Sequence, residues 1–154
     1  MTLLFNELKT LLSLEGKTLE SITYHIWHNR TNAAAPFTFI DKIEILARGE
    51  KAVILGVTED AVGITVNNQS DDVEKMKLDL LLQFKGVITL YTKVMNAGNL
   101  WKQAIGQQIK SVKTEKMSNG LYSNEAILFE FEDGYCIEIH YQDDGLVAEF
   151  YEDV

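Results

Sequence analysis

Three carboxylates, Glu130, Glu138 and Glu149, and one imidazole, His140, fall within twenty residues of one another near the end of the chain. Paired carboxylates can divide acid and base roles in glycoside chemistry. A histidine beside a carboxylate can serve as a base or a pH switch. The residues around them alternate in polarity, which places these groups on the open face of a sheet, where water is not excluded. Cys136 and His140 sit four residues apart on one strand, roughly 13 Å, too far for a thiol–imidazole dyad. His25 and His28 form a His-x-x-His pair, the spacing that holds a metal on a helix. Their segment alternates like a strand, where positions three apart face opposite ways. Asp143-Asp144-Gly145 starts like a calcium loop but lacks the closing acid. The chain has no phosphate-cradling glycine loop, no Gly-x-Ser-x-Gly and no Cys-x-x-Cys. The expectation is a non-enzymatic protein with no catalytic residue, no cofactor and no metal.

The stretch that carries those acids, Ile127 to Phe150, reads as three antiparallel strands. Apolar residues are odd-numbered in the first strand (Ile127, Phe129, Phe131) and in the second (Tyr135, Ile137, Ile139, Tyr141). They are even-numbered in the third (Leu146, Ala148, Phe150). Directly opposed residues share a face. A three-residue loop, Glu132-Asp133-Gly134, therefore pairs Phe129 with Ile137 and Ile127 with Ile139. Gly134 takes the left-handed position of that loop. The loop Gln142-Asp143-Asp144-Gly145 reverses the parity and brings the third strand onto the same apolar face. A one-residue slip would expose the whole face, so the register is firmly set. The opposite face then carries Glu130, Glu132, Glu138, His140, Glu149 and Tyr151, with Glu138 opposed to Glu149. Like charges opposed across a sheet cost a few tenths to about 1 kcal/mol.

The same parity runs through the first half of the chain. Phe37 to Ala47, Ala52 to Val57 and Val62 to Val66 are odd, odd and even, again separated by loops of three and four residues. Ile45, Val53, Val57, Val62 and Val66 match Phe129, Ile137, Tyr141, Leu146 and Phe150 at an offset of 84. Upstream, Gly16-x-x-Leu19-x-Ser21-Ile22 matches Gly106-x-x-Ile109-x-Ser111-Val112 at an offset of 90. These matches predict an internal duplication within a single domain, 1–154: a first half at 2–67, a connector at 68–93 and a second half at 94–154. The fold class is α+β, an antiparallel sheet with helices, built from two pseudo-repeated halves of one helix and a four-strand meander. Leu4, Leu8, Leu11 and Leu12 mark the first helix. Asn67 to Asp72 offers an N-cap for a second one over Val73, Met76, Leu80, Leu81 and Phe84; Met76, Leu78, Leu80, Leu82 and Phe84 fit a strand equally well, and the cap and the helix-forming composition favour the helix. Amphipathic helices must cover the apolar sheet faces.

The chain of 154 residues is 46% apolar and 24% charged, the composition of a globular domain. Its net charge of −9 is concentrated. Residues 117–154 hold ten acids and no Lys or Arg, so they carry −10 and residues 1–116 carry +1. That distribution argues against nucleic acid and against an anionic membrane surface as partners. A basic protein partner fits it. One cysteine, no basic leader region and no apolar run of about 20 residues point to a cytoplasmic protein that does not span a membrane.

A short, acidic, Trp-containing chain with a φ-x-φ-x-φ-Glu-Asp-Gly hairpin at Ile127–Gly134, after a helix and Gly106-x-x-Ile109, resembles small bacterial immunity proteins. The resemblance spans Leu100 to Phe150 and more faintly Leu8 to Val66. It implies inhibition of a basic toxin domain, with Glu130, Glu132, Glu138, Glu149 and Tyr151 as the partner-binding residues. Two other classes remain open on the sequence. One is a ligand-binding or enzymatic site between the two halves. The other is a homo-oligomer, a homodimer for example, pairing through exposed strand edges.

Overall fold

The alternating runs fold as antiparallel meanders of one sheet. The computed structural model describes residues 2–60, 62–68 and 71–152. In chain order the elements are α1 (Phe5–Leu12), β1 (Leu19–Asn29), β2 (Phe37–Ala47), β3 (Val53–Val57), β4 (Ile64–Asn67), α2 (Asp71–Phe84), β5 (Ile88–Val94), β6 (Ile109–Lys113), β7 (Ala126–Phe131), β8 (Cys136–Gln142) and β9 (Gly145–Phe150). Strand order is β4-β3-β2-β9-β8-β7-β6, with β1 on the other edge of β2 and β5 beyond β1. No helix is long and apolar enough to cross a membrane.

The hairpin registers follow the parity argument. Phe129 pairs with Ile137 and Ile127 with Ile139. Glu138 lies opposite Glu149. In the first half Ile45 pairs with Val53 and Ile43 with Leu55. The loop between β8 and β9 is tighter than expected: Gln142 pairs with Gly145, which leaves a two-residue turn at Asp143-Asp144. Asp143 takes the left-handed conformation (φ 57°) that such turns use.

Two expectations are corrected. The described residues contain nine strands rather than eight, because Ile88–Val94 forms β5 against β1. The helix expected to open the second half is absent; residues 99–106 form a run of turns. Gly98 and Gly106 bracket only seven residues, too few to offset helix nucleation. The turns seat Trp101 and Ala104 in the core instead.

The sheet curls into a half-barrel because β2 divides its edge. Residues 43–45 pair with β3, while Ile40 pairs with Leu146 of β9. Gly145 allows that approach: a Cβ there would lie 2.8 Å from the Ile40 carbonyl oxygen and from the Phe39 ring. The path β1-β2-β9-β8-β7-β6 then returns to the start of β1. Gly16 N–H donates to Ile109 O (2.7 Å) and Gly106 N–H to Leu19 O (2.8 Å). Ile109 N–H donates to Lys17 O (2.7 Å) and Leu19 N–H to Gln107 O (2.9 Å). Both glycines have positive φ, 82° and 88°, which residues with a Cβ rarely adopt.

The inner face holds one core drawn from both halves, including Ile22, Ile43, Leu55, Ile64, Phe129, Phe131, Ile137 and Ile139. Trp101 is buried there, and its Nε1–H donates to the Tyr24 hydroxyl at 2.6 Å. Burial pushes the Tyr24 phenol up, and the indole bond partly opposes this. Glu7 ties α1 in place, accepting from Leu4 N–H (2.9 Å) at the helix start and from Val66 N–H (2.8 Å) on β4. On the outer face, α2 covers β1, β3 and β5 through a smaller cluster of Ile54, Val73, Leu80, Ile88 and Leu90, joined by Trp27.

Two stability predictions follow from these contacts. Tyr24→Phe strands the buried Trp101 N–H and should cost about 1–3 kcal/mol in urea unfolding. Gly145→Ala forces β9 off β2 and should cost about 1–3 kcal/mol by overpacking. An unchanged unfolding midpoint in either variant would contradict the corresponding contact.

Candidate functional site

The outer faces of the two halves differ. Over the first half α2 lies on the sheet. Over β6–β9 no described helix does, and the outward side chains of that meander are half-buried or exposed. They are Ser111 and Lys113 on β6, Leu128 and Glu130 on β7, Cys136, Glu138 and His140 on β8, and Val147 and Glu149 on β9. Strand alternation puts them there, since the intervening residues fill the core.

Four of the five residues expected to bind a partner are brought together on this face. Glu130 accepts from the Ser111 hydroxyl (3.1 Å) and lies 3.8 Å from Lys113 Nζ. Glu138 and Glu149 flank His140, with carboxylate oxygens 3.3 and 3.6 Å from its Nδ1. Tyr151 continues the β9 side of the face, its N–H donating to Cys136 O (3.0 Å). Glu132 lies past the end of β7, where its Oε1 accepts from Gln108 N–H (3.1 Å) and fastens the hairpin to the turn before β6. A shallow hollow of about 300 Å³ lies between Lys113, Glu130, Cys136, Tyr151 and Glu152.

His140 is not among the residues expected to bind a partner. Its Nε2 is 3.1 Å from Gln142 Oε1, two residues on and on the same face. Its Nδ1 has no accessible surface and no hydrogen-bond partner. The ligand atoms of Glu138, His140 and Glu149 lie within 4.8 Å of one another, the one such group of three among the described residues. The signal was present as Glu-x-His-x-Gln on a strand with Glu149 opposed to Glu138.

Two further sites had no clear signal in the sequence. A groove of about 460 Å³ lies where β2 and β5 meet the β8–β9 turn, lined by Phe37, Phe39 and Tyr91 on one side and Asp143 and Asp144 on the other. Under α2, a cleft gathers Thr23 and His25 from β1, Glu44 from β2, Thr92 from β5, and Glu74 and Lys77 from α2. The Lys77 ammonium donates to the Thr92 hydroxyl. The hydroxyl is then free to donate to His25 Nδ1, 3.1 Å away. His25 Nε2 lies 4.0 Å from Glu44 Oε2. Burial lowers the His25 pKa, and Lys77 and Lys42 lower it further.

Comparison with protein-family models, with curated proteins and with solved structures finds no match to this chain.

The His25 cleft generates a pH prediction. The folded pKa is below the unfolded value near 6.5, so the unfolded chain binds more protons between the two. Stability therefore rises with pH through that window and is lost as pH falls below about 6.5. His25→Gln should flatten the fall of the melting temperature between about pH 7 and pH 5 relative to the parent chain. Parallel curves for the two proteins would show that His25 contributes nothing to acid sensitivity.

Proposed function

We propose that this chain is a non-enzymatic binding protein whose bare β6–β9 face docks a basic protein. The observation that carries the reading is the asymmetry of cover. One outer face lies under α2, while the other presents Glu130, Glu138 and Glu149 on a segment that carries −10 in the sequence. Glu138 opposed to Glu149 is unfavourable in the free protein, and a partner's Lys or Arg between them would relieve it. Acidic surface of this kind favours fast, salt-sensitive association with a cationic partner. Neutralisation of a basic toxin domain is the biological form we propose for it, in keeping with the resemblance to immunity proteins.

We also read the two halves as copies of one unit. Three pairings support this. Leu19↔Ala47 and Ser21↔Leu46 correspond to Ile109↔Phe131 and Ser111↔Glu130, with the register shift at the same step. Ile43↔Leu55 corresponds to Ile127↔Ile139. The third pairing diverges, since Leu55 faces Val66 whereas Ile139 faces Ala148. In this reading the second copy kept the acidic face and the first received α2 as a cover.

A second reading rests on the groove between the halves. Its aromatic wall and the two aspartates suit a small aromatic cation. Screening such compounds by thermal shift, with Tyr91→Ala as the control, tests it.

For the docking reading, the immobilised chain is exposed to extract of its native source at low salt and again at about 0.5 M salt, where the Debye length is about 4 Å. One basic protein should be retained at low salt and released at high salt. Purified, it should bind Glu130→Lys and Glu149→Lys variants at least about tenfold more weakly, equivalent to about 1.4 kcal/mol each. Retention that ignores salt, or variants that bind as the parent does, would overturn the proposal.

A further inference from the structure

The geometry points to a divalent transition-metal site at Glu138, His140 and Glu149, with zinc as the natural probe. This inference goes beyond the docking reading and does not depend on it.

The argument starts from strand geometry. Glu138 and His140 are two apart on β8, so both face outward, and Glu149 stands directly across from Glu138 on β9. Three ligands on two adjacent strands converge without any loop to order. The His140 ring is held from behind: Gln142 Oε1, 3.1 Å from Nε2, can only accept, so Nε2 carries a proton and Nδ1 is the ring nitrogen that offers a lone pair to a metal. A metal-binding histidine characteristically donates its other ring N–H to such an acceptor, which fixes tautomer and ring orientation. Nδ1 is fully shielded, has no hydrogen-bond partner and points between the two carboxylates.

Distances decide what fits there. Zinc bonds to nitrogen and carboxylate oxygen are about 2.0–2.1 Å, so neighbouring donors on a tetrahedron stand about 3.3–3.4 Å apart. The Nδ1–oxygen separations are 3.3 Å to Glu138 and 3.6 Å to Glu149. All three donor atoms lie within 4.8 Å of one another, and the Glu149 side chain, 58% exposed, is free to swing and close the set around one ion. A proton on Nδ1 makes one good hydrogen bond and serves one carboxylate; a divalent ion bonds both and offsets both charges. An imidazole in the set favours zinc and its transition-metal neighbours over magnesium or calcium, which prefer oxygen. Three protein ligands leave a fourth position open towards solvent, for water or one donor from another molecule.

The test uses the full chain stripped with a chelator. Zinc titrated by calorimetry should bind at one ion per chain, and cobalt should give the visible absorption of a tetrahedral site. His140→Ala should weaken zinc at least about 100-fold, and Gln142→Leu about 10- to 100-fold, the range seen for partners behind a ligand. Melting of each metal-free variant checks that it folds. Glu130→Lys leaves all three ligands in place and should bind zinc as the parent does, while His140→Ala keeps every acid and should still dock a basic partner. The two proposals therefore fail separately. Zinc weaker than about 1 mM, or zinc binding unchanged in His140→Ala, would overturn the metal site.

Discussion

The four backbone hydrogen bonds that join residues 16–19 to residues 106–109 are the constraint on which the rest of the molecule depends. Without them the β6–β9 meander would meet the first half at the Ile40–Leu146 pair beside Gly145 and through the bonds that the loop before β7 makes, Ile64 N–H to Asn124 O and Leu3 N–H to Tyr122 O, both 2.8 Å. With them the sheet curls back on itself, and the apolar faces of the two halves become one inner core. The glycines at positive φ turn the chain so that each N–H meets the other half's carbonyl. Behind the closure, Trp101 reaches across to Tyr24, so the core is locked by one buried polar bond as well as by packing. A buried indole N–H without that hydroxyl would be strongly unfavourable, which makes the contact a specific one.

Closure also determines what is left outside. A curled sheet has one concave face, which fills with side chains, and one convex face, which something must cover or solvate. The connector between the halves supplies a single helix, α2, and that helix packs on β5, which follows it, and reaches Ile54 of β3 and Trp27 of β1. The β6–β9 face receives no such cover among the described residues, and its outward positions are mostly polar or charged, with Leu128 and Val147 among them. Three of the ten acids in residues 117–154, Glu130, Glu138 and Glu149, lie on that uncovered face.

Much of this was legible in the residues. Parity and loop length fixed the registers of β2–β3 and β7–β8–β9, including Glu138 opposite Glu149, because each pairing is set by side chains that must share a face; the loop after Val57 has six residues rather than four, so Val57 pairs with Ile64 and not with Val62. The cap before Val73 marked α2. The closure was not legible as hydrogen bonding, since backbone bonds leave no mark in side-chain pattern; what showed was only the repeated Gly-x-x-φ-x-Ser. Ile88–Val94 is β-rich by propensity, but nothing in its pattern separated a strand from the start of a helix or named β1 as its partner. Residues 99–106 looked helical from Leu100, Trp101 and Ile105, yet the glycines at either end leave too little chain for a helix. Glu132 has the parity of the acidic face, but its place just beyond the last pair of β7 sends its carboxylate to Gln108 instead. The alternation put Glu138 and His140 together; it could not say that Gln142 would hold the ring so that Nδ1 faces both carboxylates.

The acidic face and the histidine at its centre pose one electrostatic problem. Two carboxylates opposed across neighbouring strands repel, and the repulsion is weak only while water screens it. Anything that covers the face removes that water and raises the cost, unless it brings positive charge to the same place. Glu130 already has a local answer in Lys113 and Ser111. Glu138 and Glu149 have only the imidazole between them, and one nitrogen cannot satisfy two carboxylates equally. The fold therefore holds two carboxylates in register across a ladder that packing beneath will not let slip; in both proposals, a cation from outside neutralises them. Whether that cation is a side chain or a metal ion, the rigidity that aims the carboxylates comes from the inner core, where Ile137, Ile139 and Leu146 anchor the same two strands.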